Sequence, residues 1–137
     1  WFMATSEDAS LEAAERAVEA CQHVPGVITP FPGGVAASGS KAGSRYKFLF
    51  ASTNESFCPT LKGHEGVESL IPDGVKSVME IIINGRDLAA VSAATQASIK
   101  AASEVEGVIN ITAGNYGGRL GKSRIWLIPE NHPESQD

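Results

Sequence analysis

One carboxylate is set apart by its neighbours. Glu80 lies within Val78-Met79-Glu80-Ile81-Ile82-Ile83-Asn84-Gly85, a short run rich in β-branched residues that closes on an Asn-Gly turn signal. Side chains alternate along a strand. Met79, Ile81 and Ile83 therefore share one face, expected to pack on the helical stripe that follows. Val78, Glu80 and Ile82 share the other. If water reaches that second face, Glu80 is a solvated strand glutamate or half of an ion pair, the commoner fate. If a second lobe or subunit covers it, the carboxyl is desolvated and favours its neutral form. It can then hold or pass a proton near neutral pH.

Two further stretches could contact a ligand. Ser38-Gly39-Ser40-Lys41-Ala42-Gly43-Ser44-Arg45 follows Gly33-Gly34. Glycine and serine let main-chain N–H groups approach an anion, and Lys41, Arg45 and Lys47 add positive charge. On composition alone a flexible surface hairpin is the more economical reading. The GxxxxGK[ST] order of a P-loop is absent. Ala113-Gly114-Asn115-Tyr116-Gly117-Gly118-Arg119-Leu120-Gly121 places four glycines around one aromatic. That pattern suits tight turns or close ligand approach, and equally a loop into a last strand.

Other chemistries find little support. Cys21 and Cys58 have no CxxC spacing and fit reduced thiols of a cytoplasmic protein better than a disulfide frame. Cys58, between Phe57 and Pro59, reads as buried structure. No serine or cysteine elbow is evident. The three histidines, His23, His64 and His132, lie far apart, so no metal site is expected. The formal charge of −5 is spread along the chain without a basic stripe, which argues against nucleic acid. No apolar run approaches the roughly 20 residues of a membrane span. No basic leader precedes an apolar stretch, so no secretory signal is expected. The chain opens on Trp1-Phe2-Met3-Ala4, a strand already under way, and is expected to belong to a longer protein.

The elements that must position Glu80 form a repeat. Trp1 to Thr5 is the end of a strand. Ser6 can cap a helix whose first turn holds Glu7 and Asp8. Ala14, Ala17, Val18, Cys21 and Val24 give its apolar stripe. Pro25-Gly26 ends it, and Val27-Ile28-Thr29 starts a short strand. The pattern then recurs. Strand Val78–Asn84 is followed by Asp87 as cap, and by a stripe of Leu88, Val91, Ala94, Ile99, Ala102 and Val105. Strand Val108–Ile111 follows. Val24-Pro25-Gly26-Val27-Ile28 aligns with Val105-Glu106-Gly107-Val108-Ile109, which makes two strand–helix–strand units.

Two such units give an α+β, ferredoxin-like split βαβ sandwich, with an antiparallel sheet and both helices on one face. The other face, with Glu80 on it, is expected to be bare and to seek a partner. The link from about Phe31 to Ser77 is too long to lack structure. It is expected to hold a strand at Tyr46–Phe50. Ile125–Ile128 is expected to be the last strand, which puts a lobe at 1–129 and a polar, frayed tail at 130–137.

Several ordered blocks resemble one enzyme family. They are ITPFPGG at Ile28–Gly34, SGSKAGSRYKFL at Ser38–Leu49, ASTNESFCPTL at Ala51–Leu61, PDGVKSVMEIIING at Pro72–Gly85 and the GVINITAGNYGGRLG run ending at Gly121. Together they resemble the C-terminal half of formylmethanofuran:tetrahydromethanopterin formyltransferase, over nearly the whole chain except the tail.

The resemblance implies a cytoplasmic one-carbon enzyme of methanogens and some methylotrophs. It would move a formyl group between the amine of methanofuran and N5 of tetrahydromethanopterin, with both carriers as substrates and no permanently bound cofactor or metal. It also implies an N-terminal half of the same enzyme as partner, and a homo-oligomer or a formyltransferase/hydrolase complex. Glu80 would be its catalytic glutamate. Ser40, Lys41, Arg45, Asn115 and Tyr116 would contact substrate. The competing reading is a non-catalytic ferredoxin-like module for ligand binding or oligomerisation, because fold does not determine function.

Overall fold

The computed structural model describes residues 1–39, 42–44, 46–48, 53–114 and 123–128. The element order is β1 (Phe2–Ala4), α1 (Glu7–Gln22), β2 (Val27–Ile28), β3 (Val35–Ala37), β4 (Ser77–Ile81), β5 (Asn84–Gly85), α2 (Leu88–Ser103) and β6 (Val108–Ile111). Single 3₁₀ turns lie at Pro32–Gly34, Glu55–Phe57 and Pro59–Leu61. Four strands form one sheet in the order β3-β4-β1-β6. Every pairing in it is antiparallel. β2 and β5 pair in a ribbon of their own. Among the described residues, no helix is long and apolar enough to cross a membrane.

The two halves repeat down to their caps. Ser6 Oγ accepts from Ala9 N–H at 3.2 Å, and Asp87 Oδ1 accepts from Ala90 N–H at 2.8 Å. Each satisfies a first-turn donor that the helix cannot. Ala90 N–H is also the main reason that the Asp87 carboxyl sits below the ordinary aspartate range. That cap is therefore intact above the ordinary aspartate pKa and weakens as pH falls through the lowered one. Both helices run for 16 residues. Both are followed by a glycine in the left-handed region, Gly26 at φ 82° and Gly107 at φ 91°, which lets the chain reverse beyond the helix end. Replacing Ser6 by alanine should cost about 1 kcal/mol, read as a lower midpoint in thermal or denaturant unfolding.

The helices pack through small residues. Ala13, Ala14 and Ala17 of α1 and Ala94 and Ala102 of α2 are fully buried, and Cys21 and Ser98 nearly so. Cys21 Sγ and Ser98 Oγ lie 3.0 Å apart, and Ser98 Oγ donates to the Ala17 carbonyl at 3.2 Å. On α2 the buried positions are Ala90, Ala94, Ser98 and Ala102, each four residues from the last. The expected stripe holds only in part. Leu88 is 51% exposed, and Val91 and Ile99 are half-buried. Close contact between helices selects the alanines, and the larger residues flank it.

Burial pushes the Cys21 thiol up, with the Ser98 bond pulling weakly the other way. A thiol so placed is a poor nucleophile. Cys21 should resist alkylation in the folded protein and react once it is unfolded. Mass spectrometry after timed iodoacetamide treatment checks this.

Beneath the helices, Phe2 joins their alanines and Val105 in one apolar cluster, with Val35, Met79, Ile81, Val108 and Ile111 packed against it. Met79 and Ile81 thus face the helices, as alternation predicts. The strand is shorter than expected. It ends at Ile81, and Asn84-Gly85 pair with β2 where a turn is expected. Val27-Ile28 likewise leave the main sheet, and Val35–Ala37 take the edge position beside β4. Two short apolar segments compete for that edge, and the Pro32–Gly34 turn delivers the second.

The far face of the sheet is not bare. Met3 and Val78 point to it, and the link between the repeats folds back over them. Ile71 and Val75 from the link complete a second buried cluster, with Trp1 and Phe57 against it. Val78 is only 3% exposed. Among the described residues, the part of the link where a strand is expected is not extended. Tyr46–Phe48 form a bend and turn, and Leu49 and Phe50 lie outside the described residues. Residues 125–128 are also irregular instead of a last strand. They are tied to α2 by the Gln96 side chain, whose Nε2 donates to the carbonyls of Trp126 and Leu127 at 3.2 Å each. The expected tail, 130–137, lies outside the described residues.

Candidate active site on the sheet face

Strand register brings two distant residues together. Phe2 pairs with Met79 and Met3 with Val78. One step further along both strands sets Trp1 opposite Glu80, on the face away from the helices. Directly opposed side chains on one face are close enough to interact. Here the indole Nε1–H of Trp1 donates to Glu80 Oε2. Asn54 Nδ2 donates to the same oxygen at 3.2 Å. Glu80 itself is half-buried. Among the described residues, no lysine or arginine pairs with it, and Oε1 has no hydrogen-bond partner.

Trp1 is held on several sides. Its ring stacks on Phe57, with centroids 4.1 Å apart and planes 22° from parallel. Gly114 abuts the outer rim of its six-membered ring. A Cβ built on Gly114 would lie 1.7 Å from Trp1 Cη2. Its main-chain nitrogen donates to the Thr112 carbonyl at 2.6 Å, and Thr112 N donates back to the Trp1 carbonyl at 3.0 Å.

Asn54 is placed from below and beside. Its carbonyl accepts from Phe57 N at 3.0 Å. Gly39 lies so close that an added Cβ would meet the Asn54 carbonyl oxygen at 2.4 Å. Ser38, just before, is tied to β4 by a bond from its N–H to the Val78 carbonyl at 3.1 Å. Nearby, Glu55 Oε2 accepts the main-chain N–H of Gly43, which uses a carboxylate to hold the Gly/Ser-rich stretch.

Of the residues expected at a site, Glu80 is therefore described in full. Ser40, Lys41, Arg45, Asn115 and Tyr116 lie outside the described residues. Their chain neighbours do not. Ser40 is bonded to Gly39, which touches Asn54. Asn115 is bonded to Gly114, which touches Trp1. Both stretches thus leave from the immediate surroundings of Glu80's two donors. Trp1, Asn54 and Phe57 were not expected here. No periodicity marks them, and only the pairing of β1 with β4 and the path of the link bring them in. Cys58 is buried, its Sγ 3.1 Å from Thr60 Oγ1.

The sheet order, the helices on one face and the half-buried carboxylate on the other define a ferredoxin-like lobe with a candidate acid–base site. Residues 1–129 match the family described as "FTR, proximal lobe", and the chain belongs to that family.

Formylmethanofuran–tetrahydromethanopterin formyltransferase of Archaeoglobus fulgidus is 54% identical over 129 residues, which are 93% of this chain and 43% of that protein. The enzyme of the same name from Methanococcoides burtonii is 56% identical over 120 residues, 86% of this chain and 40% of that one. Among solved structures, formylmethanofuran:tetrahydromethanopterin formyltransferase from Methanosarcina barkeri superposes with a TM-score of 0.78 at 50% identity. That match covers 89% of this chain and 41% of the other. The formyltransferase/hydrolase complex from Methylorubrum extorquens, in complex with methylofuran, gives 0.77 at 46% identity, covering 89% and 40%. The chain thus spans about two-fifths of the length of the relatives it matches.

Proposed function

We propose that this chain is the proximal lobe of an enzyme that transfers a formyl group between methanofuran and tetrahydromethanopterin, with Glu80 as its acid–base group. The observation that carries the reading is a carboxylate half-buried on the sheet face away from the helices, held by two N–H donors and by no lysine or arginine among the described residues. Identity near one-half to enzymes of that name supports the substrate class.

A formamide is a weak acyl donor, so the chemistry needs help at two points. N5 of the pterin carrier attacks the formyl carbon, the new C–N bond forms, and the carbonyl electron pair moves onto oxygen. A proton held on the Glu80 carboxyl hydrogen-bonds that oxyanion. The pair then returns, the bond to the methanofuran nitrogen breaks, and that nitrogen takes the proton of Glu80. The proton lost by N5 restores the carboxyl, so the balance closes without a covalent enzyme intermediate. The reverse transfer uses the same groups.

Ser40, Lys41, Arg45, Asn115 and Tyr116 are proposed to contact the carriers, since the described ends of their segments touch Asn54 and Trp1. The other lobe of the enzyme, and assembly either as a homo-oligomer or with a hydrolase, would complete the site. Formyl transfer by the complete protein, assayed with both carriers before and after Glu80→Gln, tests the reading.

A further inference from the structure

We infer that Trp1 is a positioning residue that decides which oxygen of Glu80 carries the proton. This rests on Glu80 being the acid–base group, as proposed above. Two N–H donors, from Trp1 and Asn54, converge on Oε2. A proton on Oε2 would point a third hydrogen into the same space. Among the described residues, Oε1 meets no donor. Oε2 is thus the acceptor in both protonation states, and the transferable proton rides on Oε1.

Trp1 rather than Asn54 sets this polarity. A side-chain amide has a donor end and an acceptor end. An indole N–H can only donate. It also has little freedom to leave, between the Phe57 stack, the Gly114 contact and the main-chain pair with Thr112. The register that sets Trp1 opposite Glu80 is that of two adjacent strands in the sheet interior. The carboxyl therefore needs no reorganisation when the oxyanion forms, which is the condition for effective electrostatic assistance.

The test uses the complete protein with this lobe's Trp1→Phe replacement, which keeps an aromatic stack and removes the N–H. The expected result is a kcat lower by about 10- to 100-fold, the usual worth of one hydrogen bond to a charged group, with KM for both carriers within about twofold of the parent. A kcat equal to the parent's overturns the inference. So does a rise in KM at unchanged kcat, which would make Trp1 a binding surface only.

Should Trp1→Phe fail to fold, tryptophan-selective ¹⁵N spectra of the parent and of Glu80→Ala decide. The Trp1 indole N–H proton should resonate downfield in the parent and move upfield once its acceptor oxygen is removed. An unmoved resonance overturns the inference. If Glu80→Gln is inactive while Trp1→Phe is normal, only the positioning role falls. If Glu80→Gln is itself active, the proposed function of Glu80 falls with it.

Discussion

Replacing Glu80 by glutamine in the complete enzyme should lower kcat by about 10²–10⁴-fold, with assembly and folding unchanged. Glutamine has nearly the same volume, and its carbonyl oxygen can still accept from Trp1 and Asn54. Its amide can even donate a hydrogen bond toward an oxyanion. What it cannot do is release a proton to the departing nitrogen. The loss therefore isolates proton transfer from positioning and from binding. Steady-state kinetics with both carriers give the rate, and size-exclusion chromatography shows that assembly persists. A rate within a few-fold of the parent would sink the acid–base role. Glu80→Asp should not rescue, because shortening the side chain by one methylene draws the carboxyl away from both of its donors.

The parts of the fold readable from the chain are those governed by local rules. Ser6 and Asp87 cap their helices because of their own side-chain oxygens. Pro25-Gly26 and Glu106-Gly107 stop them because of local backbone geometry. Alternation assigns Met79 and Ile81 to the helix side. Identity of the edge strand was not readable in this way. Val27-Ile28 and Val35–Ala37 are both short and apolar, and the choice between them depends on which one the Pro32–Gly34 turn can deliver to β4.

The covered sheet face was hidden for a similar reason. Phe57, Ile71 and Val75 are scattered through a link without period, so nothing in their spacing announces a lid over Met3 and Val78. The expectation that only a second lobe or subunit could shield this face gives way to partial cover from the chain itself. Glu80 could be singled out because a carboxylate amid isoleucines is conspicuous. Its donors could not, since Trp1 lies 79 residues away and Asn54 lies 26. Register, which no single sequence states, is what joins them.

A methyl group at Gly114 should be almost as damaging as loss of the Trp1 N–H. The added Cβ would fall 1.7 Å from Trp1 Cη2, and 2.5 and 2.7 Å from its Cζ3 and Cζ2, far inside van der Waals contact. Either the indole or the Gly114 segment must move. Phe57 stacks on the ring and Thr112 holds the Trp1 main chain, so the indole cannot shift without disturbing its bond to Glu80. Gly114→Ala should therefore lower kcat by about 10-fold or more while the lobe remains folded, because neither helix nor its apolar cluster includes this residue.

The mechanism predicts strong coupling between the two sites. A phenylalanine at position 1 does not reach the space of Cη2, so the alanine methyl is accommodated there. In a double-mutant cycle, Gly114→Ala should cost activity in the parent and almost none in the Trp1→Phe background. Equal costs in both backgrounds would mean that Gly114 acts on the Asn115–Tyr116 stretch, not on the indole.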